Sequence, residues 1–412
     1  MTLLEANNAA ANKTDLENVF MTPSKFCPKA GAAIAARTAT DTSNSSETSI
    51  ASKPRLRLSN RRLDDAAQRL AYSELRINHA QWSMAKLELS VAVGIYDRTF
   101  PIFDGRTPIE GCEINAVPLL PEEAFHRAFK HQEFDITEMS LSSHALTVAR
   151  EESKYAGIPA FVSRVFRHSA IYIRTDRGID RPEDLKSKTI GLPEYQQTAT
   201  VWIRGILQDE HGVRPTDVKW RTGGIEEPGR GERSPMQLPP EIDLQPIPGN
   251  RTLCDMLSSG ELDAMFSARA PSVFVRGTPN VDRLFPDYVP VEEAYFRRTR
   301  IFPIMHLIGI RRSLVERHPW LAVSALKAFV KAKAIAMEDL GLIGHLSATL
   351  PWPVAEYHRA RKVMGDDYWS YDIGANRHTL ETFLRYSHEQ GLIKPIPVDA
   401  LFAPSTLELS KI

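Results

Sequence analysis

The sequence is poor in cysteine and has no long apolar run. Its three cysteines, Cys27, Cys112 and Cys254, are far apart and form no Cys-x-x-Cys pair, which argues against a disulfide framework or a zinc knuckle. No apolar segment approaches the ~20 residues that are needed to cross a bilayer. Lys and Arg number 51 and balance 51 Asp and Glu, so bulk charge indicates neither nucleic acid nor a membrane surface as a partner.

Several motifs of phosphate, nucleotide and metal chemistry are also missing. The chain has no Gly-x-Gly-x-x-Gly after its first predicted strand, no Gly-x-x-x-x-Gly-Lys-Ser/Thr loop and no nucleophile elbow. Its 12 histidines are scattered, without His-x-His or His-Glu-x-x-His spacing. We therefore expect no required metal.

Residues 1–83 differ in composition from the rest of the 412-residue chain. The segment 7–59 is rich in Ala, Ser, Thr and Asn and lacks periodicity, which predicts a disordered extension, whereas 61–77 could form one amphipathic helix. Ala30–Ala36 is too short for a signal-peptide core, so we expect a cytoplasmic protein. Met84 could serve as a start site, because everything after it looks self-contained.

From Met84 onward, short apolar runs alternate with helical patterns. Such alternation is typical of an α/β fold whose mixed, mostly parallel sheets carry helices on both faces. The predicted strands are 87–93, 114–119, 134–140, 161–166, 169–174, 189–192, 262–266 and 302–310. The predicted helices are 121–131, 141–154, 182–186, 199–211, 253–257 and 313–337, and 221–250 is predicted to be a long loop.

One stretch, 188–207, is predicted to bind an anion. A buried strand, Thr189–Leu192, leads into an amphipathic helix with Thr198 as its N-cap. Such a junction presents free N–H groups at the positive end of the helix dipole, where a carboxylate or phosphate can bind. An ordinary strand–helix unit with a polar loop is the alternative. The residues that would face the anion are Tyr195, Gln196, Gln197 and Thr198.

The order of elements resembles the type 2 periplasmic-binding-protein fold, in which two α/β lobes enclose a ligand cleft. The runs 180–207 and 257–271 resemble its second lobe. More narrowly, several runs resemble the 4,5-dihydroxyphthalate decarboxylase family, and the resemblance covers about 85 to 412. These runs are 94–106 (GIYDRTFPIFDGR), 165–179 (VFRHSAIYIRTDRGI), 188–207, 226–232 (EEPGRGE), 283–312 and 316–333.

The resemblance implies a function and a division of the chain. It implies decarboxylation of 4,5-dihydroxyphthalate, a small aromatic dicarboxylate, to 3,4-dihydroxybenzoate in phthalate degradation, without an organic cofactor. We expect residues 84–174 to form the first lobe and 175–299 the second. Residues 300–412 should return to the first lobe and add the C-terminal helices.

Such a reaction needs three kinds of group. Loss of CO2 from an aromatic ring would leave an aryl carbanion, unless a para hydroxyl pushes electron density onto the carbon that bears the carboxylate. A general acid can then protonate that carbon, which is worth roughly 10²–10⁴ in rate. The site also needs a partner that favours the phenolate, and cations or N–H donors for the second carboxylate.

Arginines are the candidates for holding a carboxylate in bidentate fashion. Arg98 and Arg269 each follow a predicted strand closely, where α/β folds bind ligands, so we favour them. Arg204 lies six residues into a predicted helix and could equally be a surface charge. Arg167 precedes a candidate histidine in the predicted crossing between lobes.

Other polar residues are candidates for contacts with the catechol ring. Tyr96 or Tyr195 could stack on the ring or form hydrogen bonds with it. Asp97 could accept a phenolic proton, or it could cap its own loop. Ser142 and Ser143 follow the third predicted strand and could donate hydrogen bonds to a ligand.

Three histidines are candidate proton donors, because imidazole exchanges a proton near neutral pH. His306 lies within an apolar predicted strand, where a hydrogen-bonded core histidine is the commoner role. His168 lies at the predicted crossing between the lobes, and His144 begins a helix directly after a strand. The sequence leaves open which of them faces the cleft.

Two other functions are compatible with the fold. A solute-binding protein for an aromatic carboxylate is the main alternative, and the lack of a signal peptide argues against it. An enzyme of the pyrimidine-synthesis type ranks lower, because no cysteine-rich iron motif is present. The aromatic residues of 352–386 could form a homo-oligomer interface or a core of packed helices, and we favour the core.

Overall fold

The computed structural model describes residues 86–232 and 235–408. The predictions for 1–83, with the helix at 61–77 and the start at Met84, lie outside the described residues. Within these ranges strands and helices alternate along the chain. The strands are β1 (Leu87–Val93), β2 (Cys112–Pro118), β3 (Ile136–Ser140), β4 (Tyr155–Arg164), β5 (Ile171–Arg174), β6 (Thr189–Leu192), β7 (Lys219–Thr222), β8 (Leu244–Pro246), β9 (Ala264–Phe266), β10 (Val281–Arg283) and β11 (Ile304–Arg311).

The α-helices fall between and after these strands, and short 3₁₀ turns such as Pro182–Leu185 join some of them. The helices are α1 (Phe100–Phe103), α2 (Pro121–His131), α3 (Leu141–Ala149), α4 (Thr198–His211), α5 (Leu253–Ser259), α6 (Ser272–Val275), α7 (Tyr288–Thr299), α8 (Arg312–Arg317), α9 (Trp320–Gly341), α10 (Pro353–Met364) and α11 (Ile373–Glu389). None of these helices is both long and apolar enough to cross a membrane.

The first sheet has the strand order β2-β1-β3-β11-β4. β1 runs parallel to both of its neighbours, with Leu87 opposite Cys112 in β2. β11 comes from the far end of the chain and lies antiparallel between β3 and β4. The late strand therefore brings residues of 304–311 beside residues of 136–140, and this pairing builds the site.

The second sheet has the order β10-β5-β9-β6-β7-β8. β6 is parallel to β7 and β9, whereas β5 is antiparallel to β9 and β10. The chain enters this sheet after β4 and leaves it after β10, so it crosses between the sheets twice. The prediction of a two-lobed α/β fold with mixed sheets and helices is confirmed.

One boundary of the predicted lobes differs from the structure. β5 (Ile171–Arg174) was assigned to the first lobe, but it forms hydrogen bonds only with strands of the second sheet among the described residues. The first crossing therefore lies at 165–170, four residues before the predicted boundary at 174. We propose 86–164 and 171–299 as the sheet-forming parts of the two lobes.

The structure also corrects three local predictions. The loop at 221–250 contains a short strand, β8, which has only three residues and lies at the edge of the sheet. The long helix predicted at 313–337 is interrupted before Pro319, because proline has no N–H to continue a helix. A helix at 288–299, α7, was not predicted.

The C-terminal residues pack as a core rather than being wholly exposed. Phe383 and Tyr386 of α11 are buried and contact Trp202 of α4, with ring centroids 5.3 and 5.7 Å apart. Tyr371 is also buried, whereas Trp352 is 73% exposed. The burial of Phe383, Tyr386 and Tyr371 supports the core prediction for these three aromatic residues, and the oligomeric state stays a prediction.

Candidate active site

A cavity of about 210 Å³ opens where the carboxyl end of β3, the N-terminus of α4 and strand β11 meet. A cavity of about 150 Å³ already accommodates benzene, so this space fits one substituted ring. Apolar side chains of α2 and β11 line one part, and polar groups line the rest. The polar lining residues are Glu122, Ser140, Arg167, Gln197, Thr198, Arg269 and His306.

His306 is the one candidate proton donor that lines this cavity. Irregular pairing of β11 with β4 on both sides of His306 forms a local distortion that re-aims its side chain. The Nδ1 atom of His306 lies 2.6 Å from Oε1 of Glu138, which is fully buried in β3. The edge of Phe125 packs on the imidazole at a centroid distance of 4.8 Å, so the ring orientation is held from two sides.

The buried carboxylate of Glu138 accepts hydrogen bonds from three donors. The backbone N–H of Gly94 donates to Oε2 at 3.0 Å, and the hydroxyl of Tyr96 donates to Oε1 at 3.0 Å. Burial alone raises the pKa of Glu138, but the hydrogen bonds from His306, Gly94 and Tyr96 outweigh it and hold this pKa below its ordinary value. Glu138 is therefore a carboxylate at neutral pH.

This arrangement sets the tautomer of the imidazole. A carboxylate only accepts hydrogen bonds, so Nδ1 of His306 carries a proton and donates a hydrogen bond to Glu138. The other nitrogen, Nε2, is left to exchange a proton with a molecule in the cavity. The carboxylate also orients the imidazole, as in the Asp–His pair of serine hydrolases.

Gly94 is required by the close approach of Tyr96 to the backbone. A Cβ atom at position 94 would lie 2.6 Å from the Tyr96 ring and from its hydroxyl oxygen. Any larger residue would push Tyr96 away from Glu138. Burial raises the pKa of Tyr96, and the nearby charge of Glu138 raises it further, so the tyrosine acts as a hydrogen-bond donor.

The cationic part of the cavity is provided by Arg167. Its side chain is buried, with Nε donating to Sδ of Met305 at 3.2 Å. Burial lowers the pKa of Arg167 to about 10, which still leaves the guanidinium charged at neutral pH. The charge of Glu292 acts on Arg167, but in the described part of the chain this guanidinium forms no ion pair within 4.0 Å, so Arg167 is available to an anionic ligand.

A second arginine lies at the mouth of the cavity. Arg269 is more than half exposed, and its Nη2 is 3.4 Å from Oε2 of Glu122 at the start of α2. Arg230 also approaches Glu122, at 3.6 Å. Both arginines come from the second lobe and Glu122 comes from the first, so these ion pairs join the two lobes across the cavity mouth.

Helix α4 directs its N-terminus at the cavity. Its N-cap is Gln197 rather than the predicted Thr198, and Thr198 is the first helical residue. The hydroxyl of Thr198 instead contacts Oγ of Ser140 at 2.9 Å and accepts the backbone N–H of Ser142 at 3.1 Å. Oε1 of Gln197 is buried and has no hydrogen-bond partner among the described residues, so it can receive a ligand donor.

Two residues predicted to face the anion are turned away from the cavity. Tyr195 is fully buried, and its backbone N–H donates to Oε1 of Glu232 at 2.6 Å. The N–H of Gln196 also donates to Glu232. These two amides therefore donate to a carboxylate of the protein itself and not to a ligand. Of the four predicted residues, Gln197 and Thr198 line the cavity.

Ser142 and Ser143 are likewise used within the fold. The Ser142 N–H is bonded to Thr198, and the Ser143 N–H donates to Oγ of Ser140 at 3.4 Å, which makes Ser140 the N-cap of α3. Both serines are buried and do not line the cavity. The hydroxyl that faces the cavity from this segment is that of Ser140.

Arg98 has a supporting position rather than a place in the cavity. Its guanidinium lies between the rings of Tyr96 and Trp369, 4.4 Å from each centroid, and its Nε donates to the Val162 carbonyl at 2.7 Å. Asp97 accepts from Arg98 at 2.9 Å and is half exposed. Asp97 thus binds its own loop, and Arg98 holds Tyr96 in place.

Arg204 is neither a cavity residue nor a surface charge. It is 1% exposed, and it donates to Gln390 at 2.8 Å and to the Tyr195 carbonyl at 2.5 Å. Its guanidinium also stacks on the Tyr195 ring, 3.8 Å from the centroid. Arg204 therefore stabilises the junction between α4, the preceding turn and the C-terminal segment.

The other two candidate histidines do not line the cavity. His144 is fully buried and its Nε2 lies 2.7 Å from the Leu401 carbonyl oxygen, on the opposite side of α3. His168 is packed by Phe285 and Tyr295, and its Nδ1 is 3.9 Å from Glu292. Burial lowers the pKa of each imidazole to about 4, so both are neutral at pH 7.

Glu292 beside His168 should make the stability of the protein depend on pH. Burial raises the pKa of Glu292 from 4.5 to about 7, although backbone hydrogen bonds from Ser169 and His168 oppose this shift. Because the pKa of Glu292 is higher in the folded protein than in the unfolded chain, the folded state holds this proton more tightly. Its contribution to stability is fully present below about pH 4.5 and is lost as pH rises through 7. The loss amounts to at most about 3 kcal/mol.

The variant Glu292→Gln carries a permanent neutral analogue of the protonated side chain. Its free energy of unfolding, measured with urea at pH 5 and pH 8, should fall less between the two values than that of the natural protein. All other titrating groups are common to both proteins and cancel in the comparison. Identical pH dependence would show that Glu292 is ionised in the folded state.

Two carboxylates of the site, Glu138 and Glu122, were not predicted from the sequence. Glu138 lies inside the predicted strand 134–140, and a buried carboxylate inside an apolar strand requires a partner. That signal was present, but the partner, His306, is 168 positions away. Glu122 was hidden in the first turn of a predicted helix, where acidic residues are common for reasons of the helix dipole.

Larger surface grooves exist, but they do not bring a histidine–glutamate pair and an available arginine together. Grooves of about 700 and 850 Å³ include exposed charged residues, such as Lys130 and Lys154 in one and Arg150 and Lys394 in the other, and neither is lined by His306 or Arg167. Among the described residues there is no group of three or more His, Cys, Asp or Glu arranged to hold a metal ion. The expectation of no required metal stays a prediction.

The two mixed sheets, the double crossing and the cavity between the sheets define a two-lobed α/β protein of the type 2 periplasmic-binding-protein class. No protein-family model matches the chain. A 4,5-dihydroxyphthalate decarboxylase of Comamonas testosteroni is 43% identical over 330 residues, which span 80% of this chain and 100% of that protein. A second, of Pseudomonas putida, is 48% identical over 204 residues, or 50% of this chain and 79% of that protein. The chain belongs to the 4,5-dihydroxyphthalate decarboxylase family.

Solved structures give more distant matches. The aliphatic sulphonate binding protein SsuA of Escherichia coli has a TM-score of 0.44 at 11% identity, over 78% of this chain and 99% of that chain. The desulfurization enzyme DSZB has a TM-score of 0.42 at 13% identity, over 79% of this chain and 99% of that chain. One is a binding protein and the other an enzyme.

Proposed function

We propose that this protein is a carboxy-lyase that converts 4,5-dihydroxyphthalate to 3,4-dihydroxybenzoate and CO2. Membership of the 4,5-dihydroxyphthalate decarboxylase family supports the activity. The observation that carries the mechanism is the His306–Glu138 pair at the edge of a ring-sized cavity that also contains an available arginine. A proton donor and an anion site thus line one cavity that has space for one ring.

The retained carboxylate is bound between Arg167 of the first crossing and the N-terminus of α4. The Arg167 guanidinium supplies a charged bidentate donor there. The first amides of α4, at Thr198 and Ala199, supply further donors at the positive end of the helix dipole. Together they place the neighbouring carboxylate, and the ring carbon that bears it, on the side of the cavity where β11 lies.

His306 acts as the general acid. In its imidazolium form Nε2–H transfers a proton to the ring carbon that bears the leaving carboxylate, while the para hydroxyl gives up its proton and forms a carbonyl. The bond from that carbon to the carboxylate carbon then breaks, CO2 departs, and its electron pair restores the aromatic ring. The oxygen regains a proton, so the overall reaction consumes one proton.

Glu122 is the proposed partner of the ring hydroxyls. It is an acidic residue that lines the cavity, and it lies in the first turn of α2 near the mouth. It replaces Asp97 in this role, because Glu122 lines the cavity and Asp97 does not. This route uses only side chains of the chain and a hydroxyl of the substrate.

The purified protein, mixed with 4,5-dihydroxyphthalate, should release CO2 and 3,4-dihydroxybenzoate in equal amounts. A chelator such as EDTA should leave the rate unchanged. Binding of the substrate by folded protein without release of CO2 would refute the decarboxylase proposal and favour a solute-binding role. Activity that disappears with the chelator and returns with one divalent ion would refute the expectation of no metal.

The cellular setting is part of the proposal. We propose a cytoplasmic enzyme of phthalate degradation that acts on a small aromatic dicarboxylate and has neither nucleic acid nor a membrane as partner. The balanced charge of the sequence supports this view.

A further inference from the structure

The loop between β7 and β8 contacts the turn that precedes α4 through Glu232. Oε1 of Glu232 accepts the backbone N–H of Tyr195 at 2.6 Å, and the N–H of Gln196 donates to the same carboxylate. These amides directly precede Gln197 and Thr198, which line the cavity. Glu232 itself lines an adjoining groove and not the cavity.

The same turn is held at other points as well. Arg230 of the same loop binds the Glu194 carboxylate, with Nη2 at 2.6 Å from Oε1. The Tyr195 carbonyl accepts from Arg204 at 2.5 Å. The backbone N–H of Tyr195 is thus held by a carboxylate and its backbone C=O by a guanidinium. Of these two contacts, the one from Glu232 comes from a loop that is distant in sequence.

We propose that Glu232 is a positioning residue for the retained carboxylate of the substrate. By holding the Tyr195 and Gln196 amides it sets where the turn ends, and so where the first N–H groups of α4 and the Gln197 side chain point. This inference rests on the proposed function for the identity of the ligand. It predicts an effect of Glu232 on binding, although the side chain does not touch the ligand.

The required property of Glu232 is its acceptor oxygen and not its charge. Burial raises the pKa of Glu232 to about 7, the Tyr195 N–H opposes this shift, and the charge of Glu194 adds to it. Arg204 is the nearby cation that favours ionisation. Because a pKa of about 7 lets Glu232 be neutral near pH 7, a neutral amide oxygen at the same place should accept the Tyr195 N–H as well.

The test compares four variants by two measurements. Calorimetry gives the Kd of phthalate, which has both carboxylates but cannot be turned over, and an assay with 4,5-dihydroxyphthalate gives KM and kcat. Loss of a buried acceptor for two amides should raise Kd and KM about tenfold in Glu232→Ala, with kcat within about twofold. Glu232→Asp, which is one methylene shorter, should raise Kd and KM in the same direction even if the alanine variant fails to fold.

The conservative and control variants decide the role. Glu232→Gln should restore Kd and KM to within about twofold of the natural values, and Glu227→Ala, an exposed residue of the same loop, should change neither. Unchanged Kd in a folded Glu232→Ala or Glu232→Asp variant would overturn the proposal, as would a glutamine variant as weak as the alanine one. Phthalate binding tests Glu232 even if the natural protein releases no CO2, so the two proposals can fail separately.

Discussion

Replacement of His306 by Gln should lower kcat by roughly 10²–10⁴-fold, because glutamine keeps the shape and a hydrogen-bond donor but cannot transfer a proton. Kd for phthalate should change by less than about threefold, since the proposed carboxylate site is made by Arg167 and the N-terminus of α4 and not by His306. Steady-state kinetics and calorimetry on the same preparation measure both quantities. A variant with full kcat would remove His306 from the reaction.

Controls separate catalysis from folding in this experiment. His358→Gln changes an exposed histidine of α10 in the same way and should leave kcat unchanged. Glu138→Gln keeps a partner for Nδ1 of His306 but removes the negative charge beside the imidazole, so it should lower kcat less than the loss of the histidine does. Equal kcat in the Glu138→Gln variant and the natural protein would show that the acid works without its carboxylate partner.

Much of the fold could be predicted because its signals are local. The bounds of Pro121–His131 and Thr189–Leu192 agree with the structure. In the first, proline occupies an early helical position and acidic residues fill the first turn; in the second, a β-branched run is closed by Pro193. The strand β8 escaped prediction, because three partly exposed residues at a sheet edge have no periodicity.

The site was harder to predict because its residues are joined by long-range pairing. His306 stands opposite Ser140 in the β3–β11 register, and Glu138 stands opposite Ile308. No local pattern links positions 138 and 306, so the sequence alone does not decide among the three candidate histidines. Burial then separates them: His144 and His168 lie in apolar surroundings that hold them neutral, whereas His306 has a carboxylate on one nitrogen and the cavity on its other side.

The same pairing explains why the anion site and the acid come from different parts of the chain. Thr198 of α4 bonds to Ser140 at the end of β3, so the helix N-terminus is attached to the strand that carries Glu138. Arg167, in the first crossing, contacts Met305, the neighbour of His306. The crossing segment and the returning strand thus bring cation and acid to the same cavity.

The substrate is symmetric, which simplifies what the site must do. Each carboxylate of 4,5-dihydroxyphthalate has a hydroxyl para to it, so either one can occupy the Arg167 side while the other faces His306. In the product the single remaining carboxylate belongs at Arg167, away from the acid. If the proposed site is right, this placement would explain how a product that still has a carboxylate para to a hydroxyl avoids a second decarboxylation.

Replacement of Arg167 by Met should therefore weaken phthalate binding by roughly 10- to 100-fold, the effect of one charged hydrogen-bonding partner. Inhibition by 3,4-dihydroxybenzoate should weaken in proportion, because its carboxylate uses the same site. Binding of catechol, which has no carboxylate, should not change. Calorimetry with the three ligands measures the pattern, and KM for 4,5-dihydroxyphthalate should rise in parallel.

The variant is expected to fold. Methionine has a similar length, and it removes a buried guanidinium that has no carboxylate within 4.0 Å among the described residues, so Tm should not fall. Arg269→Met is the matched comparison: its side chain is 59% exposed and already paired with Glu122, so its effect on Kd should be severalfold at most. If Arg269→Met weakens phthalate binding more than Arg167→Met does, the retained carboxylate binds at the mouth of the cavity and the acid must reach the ring from the opposite direction.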